Sequence, residues 1–130
     1  MRPSFTLGIE EEFQTVDPVT RDLRSHINAE IIAKGKLRLQ ERVKPEMHQS
    51  VVEVGTGICK NIKEAKEEVF ELRRTMVQLA YENGLRLASA ATHPFADWNS
   101  QGIFPDDRYK TIVQDMQQVA RANLIFGLHV

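Results

Sequence analysis

Three carboxylates stand in a row at Glu10, Glu11 and Glu12, inside the stretch TLGIEEEF, whose other residues suit a buried strand. In an extended chain successive side chains alternate between faces, so Glu10 and Glu12 share one face and Glu11 takes the other. Two anions on one face call for a cation. A second acidic pair, Glu46 and Glu53, lies in PEMHQSVVEVGT, and an imidazole, His129, lies in FGLHV. Gathered beside a phosphate, four carboxylates make a set of hard oxygen ligands suited to Mg2+ or Mn2+, ions that neutralise phosphate charge. An imidazole is a ligand that Mn2+ tolerates and Mg2+ accepts less often.

Each of these residues also has a plainer reading. Thr6, Gly8, Glu10, Glu12 and Gln14 form a polar face that water alone can satisfy. Glu46 and Glu53 are seven residues apart and so have opposite parity on one regular strand. They converge only if a bulge or bend intervenes. A histidine in an apolar strand is commonly a core residue with its hydrogen bonds satisfied. Glu11 is awkward on either reading, because it shares a face with Leu7, Ile9 and Phe13. It needs a cationic partner such as an arginine, or a place near the sheet edge, since an unpaired buried carboxylate is neutralised by a raised pKa.

The elements that must position these groups alternate along the chain. SFTLGIEEEFQTV reads as a strand, and DPVTRDL as a turn leading into a second short strand. SHINAEIIAKG reads as a short helix from a cap at Ser25 to a stop at Gly35, with Ile27, Ala29 and Ile31 on its buried face. RVKPEMHQSVVEVGTG is extended, because Val51, Val52 and Val54 are β-branched and Pro45 opposes a helix. NIKEAKEEVFELRRTMVQLAYENG is the clearest helix: Asn61 caps it, Glu64 has capping-box spacing and Gly84 ends it. Ile62, Ala65, Val69, Leu72, Met76, Leu79 and Ala80 form its apolar stripe. LRLASAAT follows as a strand, HPFADWNSQGIFP as a long loop, DDRYKTIVQDMQQVARAN as a second amphipathic helix and LIFGLHV as a buried central strand. The class is α+β, a mainly antiparallel sheet with helices packed on one face.

With 42% hydrophobic residues, the 130-residue chain can bury one core. Lys and Arg total 17 against 18 Asp and Glu, a balance that argues against nucleic acid or a membrane surface as partner and for small molecules. The single Cys59 cannot make an internal disulfide, no Cys/His cluster has zinc spacing, and no signal-type apolar run opens the chain. A reducing, cytoplasmic setting is the expectation, with Cys59 a small buried residue rather than a nucleophile. A chain that closes on an apolar strand is expected to be a fragment of a longer domain.

FTLGIEEEFQTVDPVTRDL resembles the opening of the carboxylate–amine ligases related to bacterial glutamate–cysteine ligase, the type-2 glutamate–cysteine ligase family. PEMHQSVVEVGTGIC, ATHPFADW, DDRY and LIFGLHV resemble later stretches of that family in the same order, over nearly the whole chain. The resemblance implies a catalytic domain akin to glutamine synthetase, with residues 1–130 as its N-terminal portion. In such a domain an antiparallel sheet forms a funnel that holds divalent metals between ATP and substrates. It implies an ATP-dependent carboxylate–amine ligase that phosphorylates a carboxylate, commonly the γ-carboxylate of glutamate, and lets an amine such as cysteine attack the acyl phosphate.

The same resemblance assigns Mg2+ or Mn2+ to Glu10, Glu12, Glu46, Glu53 and His129, and leaves the catalytic residues unassigned. Thr56, His93 and Arg108 are the substrate-binding candidates. Each has a structural alternative: a turn for Thr56, a loop cap for His93, and for Arg108 an ion pair at a helix start with Asp106 or Asp107 in place of a bidentate anion. Family members are much longer, so the isolated chain is expected to be inactive and to form a homo-oligomer or pair with a chain carrying the remainder. Two readings compete with the ligase: a non-catalytic metal-binding remnant or interaction module, and an unrelated α+β domain whose acidic face is solvated.

Overall fold

Strand β1 (Glu10–Val16) holds the centre of the main sheet. A computed structural model describes residues 5–25 and 28–130 of the chain. Strand β3 (Val51–Gly55) pairs antiparallel with one edge of β1, and β2 (Val43–Pro45) pairs antiparallel with β3. Two short strands share the other edge of β1: β4 (Arg86–Ala88) beside Gln14–Val16, and β7 (Leu128–His129) beside Glu10 and Glu11. The α+β class is therefore realised as an antiparallel sheet.

The register decides which residues face which way. Phe13 lies opposite Val52, Glu11 opposite Val54, and Val54 opposite Val43. That face buries its valines and Phe13 against helices α1 (Asn28–Leu39) and α2 (Ile62–Glu82), which contribute Ile31, Leu72, Met76 and Leu79 to the core. Glu12 lies opposite Glu53, and Glu10 lies between Gly55 and His129, so the acidic residues occupy the opposite face.

Helix α2 starts and stops where its sequence predicts. The Asn61 side chain accepts from the Glu64 amide at 3.0 Å, and the Glu64 carboxylate accepts from the Lys60 amide at 2.7 Å. Gly84 takes φ +71, and Leu85 N donates to Ala80 O at 2.8 Å, a closing turn that favours glycine. Ile62, at the first turn, is exposed and stands outside the buried stripe.

Helix α1 does not stop at Gly35 but runs on to Leu39. Glycine serves there for close approach: a Cβ at Gly35 would sit 3.1 Å from Val43 Cγ1. Ile31 is buried as its spacing predicts, but Ile32 joins it in place of the exposed Ala29. Ile27 lies outside the described residues, as does the backbone that a cap at Ser25 would serve.

Two further expectations change. The second amphipathic helix breaks at Gln117, whose φ of 47 separates α3 (Asp107–Met116) from α4 (Gln118–Ala122). The break lets Ala120 bury and brings the Arg121 carbonyl 3.0 Å from His48 Nε2. The final apolar run is not a buried central strand but two short ones. Strand β6 (Ile125–Phe126) pairs with β5 (Ala91–Thr92), and β7 lies at the sheet edge with Leu128 half exposed. Leu124 and Phe126 are the members that bury, in a second cluster with Val16, Leu23 and Val51. Among the described residues no helix is long and apolar enough to cross a membrane.

The odd carboxylate of β1 finds its arginine. Glu11, 2% exposed, receives Arg73 Nε and Nη2 at 2.7 Å each, and Ser89 Oγ donates to it at 3.3 Å. This fork ties β1 to α2. Truncating Arg73 leaves a carboxylate inside the apolar face without its counter-charge. Because the Arg73 side chain is itself half exposed, Arg73→Ala is expected to lose about 2–3 kcal/mol in urea unfolding, less than the roughly 3–5 kcal/mol of breaking a fully buried pair. A loss below about 0.5 kcal/mol, the level of an ordinary surface pair, would refute the anchoring role.

Candidate metal centre

The acidic face assembles from three neighbouring strands. Antiparallel pairing sets Lys44 opposite Glu53 and Pro45 opposite Val52. Continuing one residue past β2 brings Glu46 onto the face that carries Glu53. The parity objection to this pair assumed one continuous strand, whereas the chain reverses direction between the two residues, and that reversal is the bend the spacing demanded. Glu12 enters from β1, directly across from Glu53. One carboxylate oxygen from each of Glu12, Glu46 and Glu53 then lies within 4.8 Å of the others, and all three residues are half-buried.

The donor set fits a hard dication. Ligands of an ion with bonds of about 2.1 Å lie roughly 3.0 Å apart when adjacent and roughly 4.2 Å apart when opposite, so the three oxygens must draw together to close on one ion. Backbone amides aim two of them: Gly127 N donates to Glu12 Oε2 at 2.8 Å and Met47 N to Glu46 Oε2 at 3.1 Å. Lys44 Nζ donates to Glu53 Oε1 at 3.2 Å. Burial raises the Glu46 pKa above the ordinary carboxylate value, and the Glu12 and Glu53 charges push it the same way, against the Met47 amide and Arg108. The site is electrostatically short of positive charge.

Glu10 and His129 sit at the adjoining end. Glu10 Oε2 is 3.9 Å from His129 Nδ1, and Glu10 Oε1 is 3.7 Å from Lys44 Nζ. His129 is exposed on the edge strand, so it is not a core histidine. Its ring flanks Gly127 together with Glu12: a Cβ on Gly127 would lie 3.6 Å from His129 Nε2 and 4.0 Å from Glu12 Oε2. His129 also lines both neighbouring clefts, one of about 450 Å3 with Glu10, Lys44 and Thr56, the other of about 550 Å3 with Glu12, Glu46 and His48.

The three substrate candidates fall in different places. Thr56 borders the first cleft, but its hydroxyl accepts from Ile9 N at 2.9 Å and donates to Gly57 O at 2.9 Å, which ties the loop after β3 to the start of β1. His93 is not brought to the acidic face. Its Nδ1 accepts from Ala96 N at 3.0 Å and its Nε2 donates to Arg21 O at 2.9 Å, so it caps the loop, the structural alternative that its position left open. Asp106 spends its carboxylate on the Arg108 backbone amide at 2.8 Å, and Asp107 pairs with Lys110 at 2.8 Å. The exposed Arg108 guanidinium is left beside Tyr109 and near enough to Glu46 to lower its pKa.

Three residues of the site were not singled out by spacing. Lys44 had a legible signal, since it stands two residues before Glu46 in an extended segment. His48 had none: it is 3% exposed, with its pKa lowered by burial, and it joins the β2–β3 turn to α4 through the Arg121 carbonyl. Tyr109 reaches Pro45 O at 3.3 Å, and burial followed by the Glu46 charge raises its pKa.

The family model described as "Glutamate-cysteine ligase family 2" matches residues 6–130. A protein of Solibacter usitatus called "Putative glutamate--cysteine ligase 2" is 69% identical over 100% of this chain and 34% of its own length. Proteins of the same name from Herpetosiphon aurantiacus and Sorangium cellulosum are 52% and 55% identical over 97% of this chain, covering 32% and 34% of theirs. The chain thus spans about a third of the length of the curated relatives it matches. With the match running from just before the Glu-x-Glu strand to the Gly-x-His strand, the chain belongs to glutamate–cysteine ligase family 2.

Proposed function

We propose that residues 1–130 are the N-terminal portion of the catalytic domain of a cytoplasmic, ATP-dependent carboxylate–amine ligase. Its substrates are ATP, glutamate or a similar acid, and an amine such as cysteine. The observation that carries this reading is the meeting of Glu12, Glu46 and Glu53, from β1, the end of β2 and β3, on one open face. Structural carboxylates gain nothing from such crowding, whereas hard ligands for a dication require it.

A carboxylate is a poor electrophile, and the proposed chemistry makes it a better one. Its oxygen takes the terminal phosphoryl group of ATP and ADP leaves. The amine nitrogen then attacks the acyl carbon, phosphate departs, and the nitrogen loses its surplus proton to leave an amide. Bound Mg2+ or Mn2+ supplies neutralisation of phosphate charge. Glu12, Glu46 and Glu53 would hold that ion, with Glu10 and His129 at the adjoining end. Gly127 and Met47 amides orient Glu12 and Glu46, and the Arg108 guanidinium beside Glu46 offers an anionic substrate group a partner. In this reading turnover belongs to the enzyme of the relatives' length, and the isolated chain supplies one wall of the site.

Electron paramagnetic titration with Mn2+ tests the reading: the chain should bind the ion saturably, and Glu12→Gln should weaken binding about tenfold or more. Absence of saturable binding at millimolar Mn2+ rejects it. The Glu46 shift gives an independent check without metal. A raised carboxyl pKa favours the folded state fully below the ordinary value of 4.5, and that contribution is lost as pH climbs through 4.5 and past the raised value. Glu46→Gln should therefore stabilise the metal-free chain at pH 7 by on the order of 0.5 kcal/mol, after screening. The gain should shrink below pH 4.5 and reverse when Mg2+ is added. A destabilised variant at pH 7 without metal would contradict the charge-crowding account.

A further inference from the structure

A third cleft, of about 620 Å3, runs beside the acidic face between the segment bearing Glu46 and the pair α3–α4. Its two ends differ in chemistry. Glu46 and Arg108 stand at one end, near enough for the Arg108 charge to act on the Glu46 carboxyl, and Tyr109 fixes that end by donating its hydroxyl to Pro45 O at 3.3 Å. Arg108 forms no ion pair among the described residues, because Asp106 is spent on its backbone amide and Asp107 on Lys110. Toward the other end Ile112 and Met116 follow Arg108 at four-residue steps along one row of α3, and Val119 comes in from α4 past the turn at Gln117. Met116 is 52% exposed and Val119 66%, so the apolar end lacks cover.

We propose that this cleft seats the amine substrate, and that the substrate is an α-amino acid with a long apolar side chain rather than one as short as cysteine. The inference rests on the ligase reading above and narrows its amine. Charge complementarity selects the head of the ligand. A planar guanidinium without a partner accepts a carboxylate, and an amino group is drawn to the acidic face at Glu46, so one zwitterion satisfies both groups at the same end. Its nitrogen then lies beside the carboxylates that would hold the ion, where the acyl phosphate would form. Length selects the side chain. At a rise of about 1.5 Å per residue, Ile112 lies roughly 6 Å and Met116 roughly 12 Å from Arg108 along α3. A side chain of four carbons reaches from the charged end over Ile112 toward Met116, and it covers apolar surface that a cysteine would leave in water. Arg108 holds the carboxylate, and Ile112, Met116 and Val119 determine specificity.

Ligand-observed NMR titrations of the chain in Mg2+ test this with L-norleucine, L-alanine, pentylamine and hexanoate. Alanine is about as short as cysteine and lacks its metal-binding thiol. Norleucine should bind at least about tenfold tighter than alanine, and at least about tenfold tighter than pentylamine or hexanoate, each of which lacks one of the two charges. Arg108→Gln should bring norleucine down to the level of pentylamine and leave pentylamine unchanged, and Val119→Asp should bring norleucine down to the level of alanine. Both side chains are exposed, so neither change enters the core, and the wild-type probe series alone decides the matter if a variant fails to fold. Equal binding of norleucine and alanine overturns this inference, while saturable Mn2+ binding at the triad still supports the ligase reading. Shifts of the Met116 and Val119 methyl signals that follow protein concentration, marking a second copy in the cleft, overturn it as well. Failure of Mn2+ binding with norleucine still selected rejects the ligase reading, and with it the role of the cleft as an amine site.

Discussion

The bidentate contact between Glu11 and Arg73 is the constraint on which the rest of the structure depends. Three consecutive glutamates on a central strand leave a choice of which parity turns inward, and a slip of one residue exchanges every side chain between faces. Apolar pattern alone favours burying Leu7, Ile9 and Phe13, and that choice drags Glu11 in with them. Arg73, on the helix that covers this face, makes the burial tolerable with two short charge-assisted bonds. Glu10 and Glu12 are then held on the open face.

That commitment has an electrostatic consequence. Once Glu12 and Glu53 face each other across β1 and β3, and the β2–β3 reversal adds Glu46, the open face holds more negative charge than its cations neutralise. The Glu46 carboxyl, already disfavoured by burial, records the excess in its raised pKa. Such crowding weakens a fold unless another species completes it, which is the pattern expected where a site is shaped for a ligand rather than for stability. Lys44 relieves one end and leaves the other open.

The segment after β4 shows how distant parts of the chain serve this face. The left-handed turn at Gln117 is locally unfavourable for a residue with a side chain. It is compensated by burial of Ala120 and by the bond from the His48 ring to the Arg121 carbonyl, which joins α4 to the turn bearing Glu46. Gly127 then returns beside Glu12, donates its amide to it, and delivers His129 directly opposite Glu10.

How much of this was legible depends on the distance over which each interaction acts. Helix α2 could be read from its cap at Asn61 to its stop at Gly84, with only Ile62 misplaced in the stripe, because caps and stripe are local features. The need of Glu11 for an arginine followed from parity, although nothing in the order of residues singled out Arg73 from the other arginines. Gly35 misled as a stop because its role is to let Val43 approach, a contact between elements. Glu46 and Glu53 looked mismatched because parity along one strand says nothing once the chain folds back. His93 and Arg108 were the right types for substrate contact, but their neighbours decided their use. The family, the α+β class and the acidic strand were thus properties of the sequence itself, since alternation, capping and motif order are written in consecutive residues. Which carboxylates meet, which cation stands between them and which histidine reaches them were decided only by tertiary structure, because register and chain reversal bring together groups from positions 10 to 129 whose spacing in sequence carries no distance.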